Sequence, residues 1–391
     1  MPGLIRRESF LLLAALVAIL AFFTEHSLLE AGKAVALIAA TVLILVIVLT
    51  STRVAHHAEI LAHKVGDPYG TMILTLSAVA VEVLILAILM NSSSSPTLVR
   101  DTIYSAVMLD INGILGLAAL LGGLRHGEQP YNDNSGKTYG VMILTAMGIS
   151  MVVPEFIPKD RWHYYSAFTI AAMLALYALF LRMQVGAHSY FFSYSYPRQQ
   201  PPPPSGSQPS GNQTSRSQTS GSPSGGNQAA AGPQRAKPDR QSTAVSITII
   251  LLGVVLIGLL AEFMSAFINT GLEGSGAPPA LMAVIVAAIS AAPEILTALR
   301  AALRNRMQAV VNIAMGASLS TVILTVPVME AIALYTGQPF VMAMTPVQTV
   351  MVTITLIAAA INLNDGETNA IEGMTHFVLF ATFLMLTMIG L

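Results

Sequence analysis

Two glutamates stand where the surrounding sequence offers no water. Glu82 lies in Ser77-Ala78-Val79-Ala80-Val81-Glu82-Val83-Leu84, and Glu294 in Ser290-Ala291-Ala292-Pro293-Glu294-Ile295-Leu296. Each is a single carboxyl inside an apolar stretch, after a run of small residues. At the centre of a bilayer an ionisable side chain costs about 2.5 kcal/mol or more, even on the insertion scale. A proton or a bound cation relieves that cost. Burial disfavours the charged form of a carboxyl, and a second carboxylate nearby disfavours it further. A paired site therefore has two low-energy states: protonated, or deprotonated and holding a cation. That competition is what proton-coupled cation exchange needs. Hard cations such as Ca²⁺ take oxygen ligands from carboxylates, carbonyls and water. The alternative is that each glutamate only hydrogen-bonds a neighbouring helix.

Further polar residues share these apolar stretches. Asp110 and Asn112 lie in Met108-Leu109-Asp110-Ile111-Asn112-Gly113, as site ligands or as partners of a neighbouring helix. Asn312, Ser318 and Ser320 follow in a Gly- and Ala-rich stretch, where small residues also serve close helix packing. Glu59 and Glu262 each follow an alanine, Glu59 at the cytoplasmic end of one apolar stretch and Glu262 deeper, within another, and Glu330 reads as interfacial. Pro293 removes one backbone hydrogen bond. It marks either an ordinary kink or a break of the kind that coordinates ions in transporter helices. His56, His57, His63 and Lys64 read as a solvated loop and match no zinc spacing.

The elements that must hold these residues are membrane-spanning helices. The chain has 391 residues, 54% hydrophobic and 10% charged, against about 25% charged in soluble domains. It has no cysteine, which excludes disulfides, thiolate metal sites and cysteine nucleophiles. With about 20 apolar residues per span, the sequence predicts an all-α polytopic membrane protein of about eleven transmembrane helices. They fall near 9–24, 33–51, 69–90, 101–124, 138–154, 164–184, 244–268, 279–302, 307–335, 341–361 and 370–390. No small-residue cleavage site follows the first, so it reads as a retained span. Residues 193–243 are rich in Pro, Ser, Gly, Gln and Asn and read as a disordered linker. The expected organisation is an N-terminal helix over 1–32, a five-helix block over 33–192, the linker, and a second five-helix block over 244–391. Five is odd, so the blocks are expected in inverted orientation, as in many secondary transporters. Glu82 and Glu294 occupy the second helix of each block. At 1.5 Å per residue they lie about 18 Å and about 21 Å from opposite membrane faces. With the N-terminus in the cytoplasm, only Lys33, Arg100, Lys159 and Arg161 of the 19 Lys and Arg fall outside. This places the linker in the cytoplasm and the C-terminus outside.

These motifs resemble those of the calcium/proton (cation/proton) exchangers of the sodium/calcium exchanger superfamily, most like the bacterial Cha-type antiporters of sodium, potassium and calcium. The resemblance rests on Ala291-Ala292-Pro293-Glu294, Asn305-Arg306-Met307-Gln308, Gly316-Ala317-Ser318, Gly66-Asp67-Pro68-Tyr69-Gly70, and Asp365-Gly366-Glu367-Thr368-Asn369 before Glu372-Gly373. It implies eleven helices, with the first outside the repeat. It also implies that Glu82 and Glu294 bind the cation and the protons, and that Glu59 and Glu262 line access paths. The family's Gly-Asn pair before each glutamate is replaced by Ala78-Val79 and Ser290-Ala291. Two amide oxygens near the cation are thereby lost, leaving room for Na⁺ or K⁺ beside Ca²⁺. The expectation is a secondary antiporter in a bacterial plasma membrane. It exchanges Ca²⁺, or alternatively Na⁺ or K⁺, for H⁺, with no cofactor and with the lipid bilayer rather than nucleic acid as its partner. A channel has no need of two titratable groups at opposed positions. The sequence contains no paired-aspartate or His-Glu-x-x-His motif of an intramembrane protease.

Overall fold

The computed structural model describes residues 8–65, 69–92, 95–158, 160–185, 243–338 and 340–391. The linker expected over 193–243 falls outside these but for Thr243. The described chain is helical throughout, apart from one two-stranded ladder. Its helices are α1 (Ser9–Glu30), α2 (Lys33–Val65), α3 (Tyr69–Ser92), α4 (Leu98–Met108), α5 (Gly116–His126), α6 (Asp133–Met147) and α7 (Trp162–Val185). They continue with α8 (Thr243–Leu272), α9 (Ala280–Ser290), α10 (Ala292–Ala302), α11 (Met307–Ser320), α12 (Val326–Thr336), α13 (Pro346–Asn362) and α14 (Ala370–Met388). Among the described residues eight helical units are long and apolar enough to cross a membrane, nine if α9 and α10 form one bent span; Thr75–Met90 and Pro346–Asn362 are shorter apolar helices. The outer surface carries exposed Leu16, Phe22, Phe23, Leu251 and Ile361. An apolar exterior around a helical bundle is what a lipid solvent selects.

Two apolar cores lie side by side. One joins α1, α2, α8 and α9 through Leu11, Ile47, Ile257, Phe267 and Val286. The other joins α4 to α7 with α11 to α14 through Ile111, Ile143, Val311 and Phe383. Helix α3 runs between them. Its Val79 and Leu86 face the second core, and Val81 and Ile85 the first. Helix α2 is longer than expected and continues through His56 and His57 to Val65. The solvated-loop reading is corrected there: His57 is fully buried. Its Nε2 lies 3.2 Å from Glu8 Oε1, which also accepts from Arg53 Nη2 at 2.8 Å. Its Nδ1 faces Ser246 Oγ on α8 at 3.5 Å. A chain entering an apolar bundle brings these polar groups in as a mutually satisfied set.

Three of the spans contain a π-helical segment, at Leu109–Leu115, Gly148–Val152 and Thr321–Thr325. The span over 279–302 is broken at Ala291, where α9 and α10 meet at 56°. Pro293 then occupies the first turn of the new helix α10, a position where the missing N–H leaves no bond unmade. Glycines set the closest approach between helices. A Cβ at Gly373 would run into the backbone of Ala119 and Leu120, and one at Gly116 would stand 2.8 Å from His376 Cβ. Strand β1 (Gln129–Pro130) pairs antiparallel with β2 (Glu367–Thr368) and ties the ends of α5 and α14 together.

Gly373→Ala is therefore expected to destabilise the detergent-solubilised protein by about 1–3 kcal/mol through overpacking. A Cβ at Gly148 meets no heavy atom within 4 Å, and Gly148→Ala serves as the neutral comparison. Equal melting temperatures for the two variants would contradict the close α5–α14 contact.

Candidate cation and proton site

Glu82, Asp110 and Glu294 come together where α3, the 109–115 π segment and the start of α10 pass one another. Glu82 is 6% exposed. Its Oε2 accepts from Thr321 Oγ1 at 3.0 Å and from Thr325 Oγ1 at 3.1 Å. Its Oε1 is buried without a hydrogen-bond partner. Both threonines belong to the 321–325 π segment. Such segments cluster at functional sites because they rotate side chains out of the regular helical register. Asp110, 2% exposed, lies on the other π segment and accepts from Ser318 Oγ at 3.2 Å. Glu294 sits in the first turn of α10, the positive end of that helix's dipole. Its Oε2 is buried and unpartnered. The charge of Glu82 acts on Glu294, and both glutamates act on Asp110.

Three mutually repelling carboxyls with two unsatisfied oxygens in a dry interior call for positive charge, as protons or as a cation. Among the described residues no three acidic or histidine side chains are close enough to hold a metal ion jointly. In this conformation the carboxyls are coupled through space without closing into a cage.

The remaining expected residues fall in different places. Ser318 is fully buried in the cluster as the donor to Asp110. Ser320 is directed back into its own helix, donating to the Ala317 carbonyl at 2.9 Å. Asn112 is fully buried, but its amide is engaged elsewhere: Nδ2 donates to Thr355 Oγ1 at 2.7 Å, and Oδ1 faces His376 Nδ1 at 2.8 Å. Asn312 is half-buried and accepts from Gln308 Nε2 at 2.9 Å. Gln308 in turn binds Ser135 Oγ and the Asn132 N–H. Glu59 and Glu262 are exposed on α2 and α8. Glu330, expected at the interface, is instead 2% exposed, with only Ser166 Oγ at 3.5 Å against it. Packing of α12 against α7 covers it. Thr321 and Thr325 were missed as site residues. The signal was the hydroxyl spacing 318, 321, 325, which falls on one helical face.

With this geometry in hand, the comparisons define the class. The chain belongs to the sodium/calcium exchanger family, whose model, described as "sodium/calcium exchanger protein", matches residues 34–186 and 245–389. It is an integral membrane transporter rather than an enzyme. It is 29% identical over 351 residues to the sodium-potassium/proton antiporter ChaA of Escherichia coli, covering 89% of this chain and 88% of that one. It is 23% identical over 336 residues to a Ca²⁺/H⁺ antiporter of Aphanothece halophytica, covering 84% and 83%. Its fold is similar to the solved structure of the Ca²⁺/H⁺ antiporter YfkE, with a TM-score of 0.71 at 17% identity over 98% and 99% of the two chains. It is also similar to the H⁺/Ca²⁺ exchanger CAX, with a TM-score of 0.60 at 13% identity over 97% and 88%.

The two hydroxyl bonds stabilise the charged carboxylate of Glu82. A hydrogen bond to a charged group contributes about 1.5–3 kcal/mol. Thr321→Val and Thr325→Val are each expected to weaken apparent cation affinity about tenfold or more in vesicle transport assays. Parental affinity in both variants would mean that neither hydroxyl supports the cation-bound state.

Proposed function

We infer that this chain is a secondary active antiporter that exchanges a metal cation for protons by competition at Glu82 and Glu294. The carrying observation is the meeting of the buried Glu82 and the half-buried Glu294, each with a buried, unpartnered oxygen, beside Asp110. With burial disfavouring each charge and each carboxylate disfavouring the next, the three cannot all be ionised and empty. A cation drawn between Glu82 and Glu294 displaces protons, and protons returning displace the cation. Asp110 stands beside the pair as a third carboxyl held by Ser318, and Thr321 and Thr325 orient Glu82. The break at Ala291 frees backbone groups next to Glu294, a device used for ion coordination in transporters. Ca²⁺ is the leading substrate, since carboxylate oxygens suit a hard divalent cation. The absence of the Gly-Asn amides and the similarity to an antiporter named for sodium and potassium favour Na⁺ or K⁺ as the second reading.

The broken α9–α10 span and the two shorter helices together support an eleven-span organisation of one N-terminal helix and two inverted five-helix blocks. The family match itself divides into two blocks, 34–186 and 245–389. The distribution of Lys and Arg supports a cytoplasmic N-terminus and linker and an external C-terminus in a bacterial plasma membrane. Reporter fusions at Gln208 and after Leu391 should then report opposite sides; the same side for both would overturn this topology.

Glu82→Gln and Glu294→Gln are each expected to abolish cation-dependent proton movement in everted vesicles while inserting normally, because glutamine keeps the shape but cannot trade a proton for a cation. Ca²⁺, Na⁺ and K⁺ added in turn identify the substrate. In the parent protein, cation affinity should fall as the pH is lowered from about 9 to about 6, as protons compete for the same carboxyls. Near-normal exchange in either glutamine variant, or an affinity that ignores pH, would refute competition at this pair.

A further inference from the structure

One buried histidine stands outside the carboxyl cluster. His376, on α14, is 3% exposed. Its Nδ1 lies 2.8 Å from Asn112 Oδ1. The Asn112 amide nitrogen has Thr355 Oγ1 and Met108 Sδ as acceptors on its other side, so the carbonyl must face the ring and Nδ1 must carry the ring proton. The neutral ring therefore keeps its lone pair on Nε2, which is buried with no hydrogen-bond partner.

One turn earlier on the same face of α14 is Glu372. Its Oε1 accepts from Asn369 Nδ2 at 2.9 Å, while its Oε2 is buried with no partner. Residues four apart on a helix have Cβ atoms about 5–6 Å apart, so a rotamer change or one bridging water joins the two groups. Both are acceptors without a donor, and one proton satisfies both: taken up on Nε2, it leaves an N–H to donate to Oε2 while Nδ1–H keeps its bond to Asn112.

We propose that His376 and Glu372 form a second proton-binding pair of the exchanger, apart from Glu82 and Glu294. The pair runs from the polar end of α14 inward to the π segment that carries Asp110. Of the elements packed against α14, the π segment carries Asp110 and the last turn of α5 carries Arg125 and His126, while Asp365 acts on Glu372 and Glu372 on Tyr131. Helices α9 and α13, which also pack on α14, contribute no titratable side chain. A purely structural histidine would need only its Nδ1 bond, which an asparagine also makes.

The proposal rests on cation/proton exchange as the function, and its test separates the two. Apparent Ca²⁺ or Na⁺ affinity is measured across a pH series, by transport in everted vesicles and by cation-induced thermal stabilisation of the purified protein, which does not need turnover. Each competing proton contributes up to a tenfold change in affinity per pH unit. His376→Asn keeps a donor for Asn112 and removes the basic nitrogen; Glu372→Gln leaves the Asn112 contact untouched. Each is expected to flatten the pH dependence by up to tenfold per unit, whereas Thr355→Val, which removes only a bond of Asn112, keeps the parental slope. Parental slopes in both His376→Asn and Glu372→Gln, or equal flattening in Thr355→Val, would overturn the pair. A parent protein whose cation affinity ignores pH would instead overturn exchange by competition itself.

Discussion

Placing three carboxyls in one water-poor interior is the constraint around which the bundle is arranged. Coulomb repulsion among Glu82, Glu294 and Asp110 is weakly screened there, and among the described residues no Lys or Arg side chain acts on them. What they have instead is hydroxyls: Thr321 and Thr325 on Glu82, and Ser318 on Asp110. A hydroxyl supports a carboxylate and also tolerates a carboxylic acid, because it can donate or accept. A lysine or arginine in the same position would hold the carboxylate ionised and remove its ability to exchange a proton for a mobile cation.

Irregular backbone positions these groups. Asp110 and the two threonines stand on π segments, and Glu294 on a half-helix that begins at a 56° bend. Within a membrane, backbone that departs from the α-helix survives only where protein or a polar cavity covers it. The two cores meet that requirement, because α3 and the α9–α10 pair pass between them rather than along the lipid face. The glutamates differ in support: Glu82 sits in the unbroken helix α3 and is held by side chains, whereas Glu294 sits at a helix start.

Other polar groups, away from the cluster, tie helices to one another. Glu8, Arg53, His57 and Ser246 tie the chain just ahead of α1 to the long helices α2 and α8. Gln308 and Gln129 bind loop backbone near the β ladder. These contacts use side chains to hold helix ends.

Hydropathy determined the membrane class and most of the helices from sequence alone, and their isolation singled out Glu82 and Glu294, which packing brings together with Asp110. Those signals are local, since a run of about 20 apolar residues spans a bilayer whatever its neighbours do. Which polar residues face one another was settled only by packing. Asn112 and Asp110 are two residues apart and so point to opposite faces of their helix; one binds His376 and Thr355 while the other meets the glutamates. Glu330 and His57 looked solvent-exposed because they lie near the ends of apolar runs; helices remote in sequence cover both. Thr321 and Thr325 looked like ordinary helix residues until the fold brought their π segment against α3. Sequence spacing fixes the face of a regular helix, but a π turn shifts that register and a helix crossing supplies the partner. Neither is written in the local sequence.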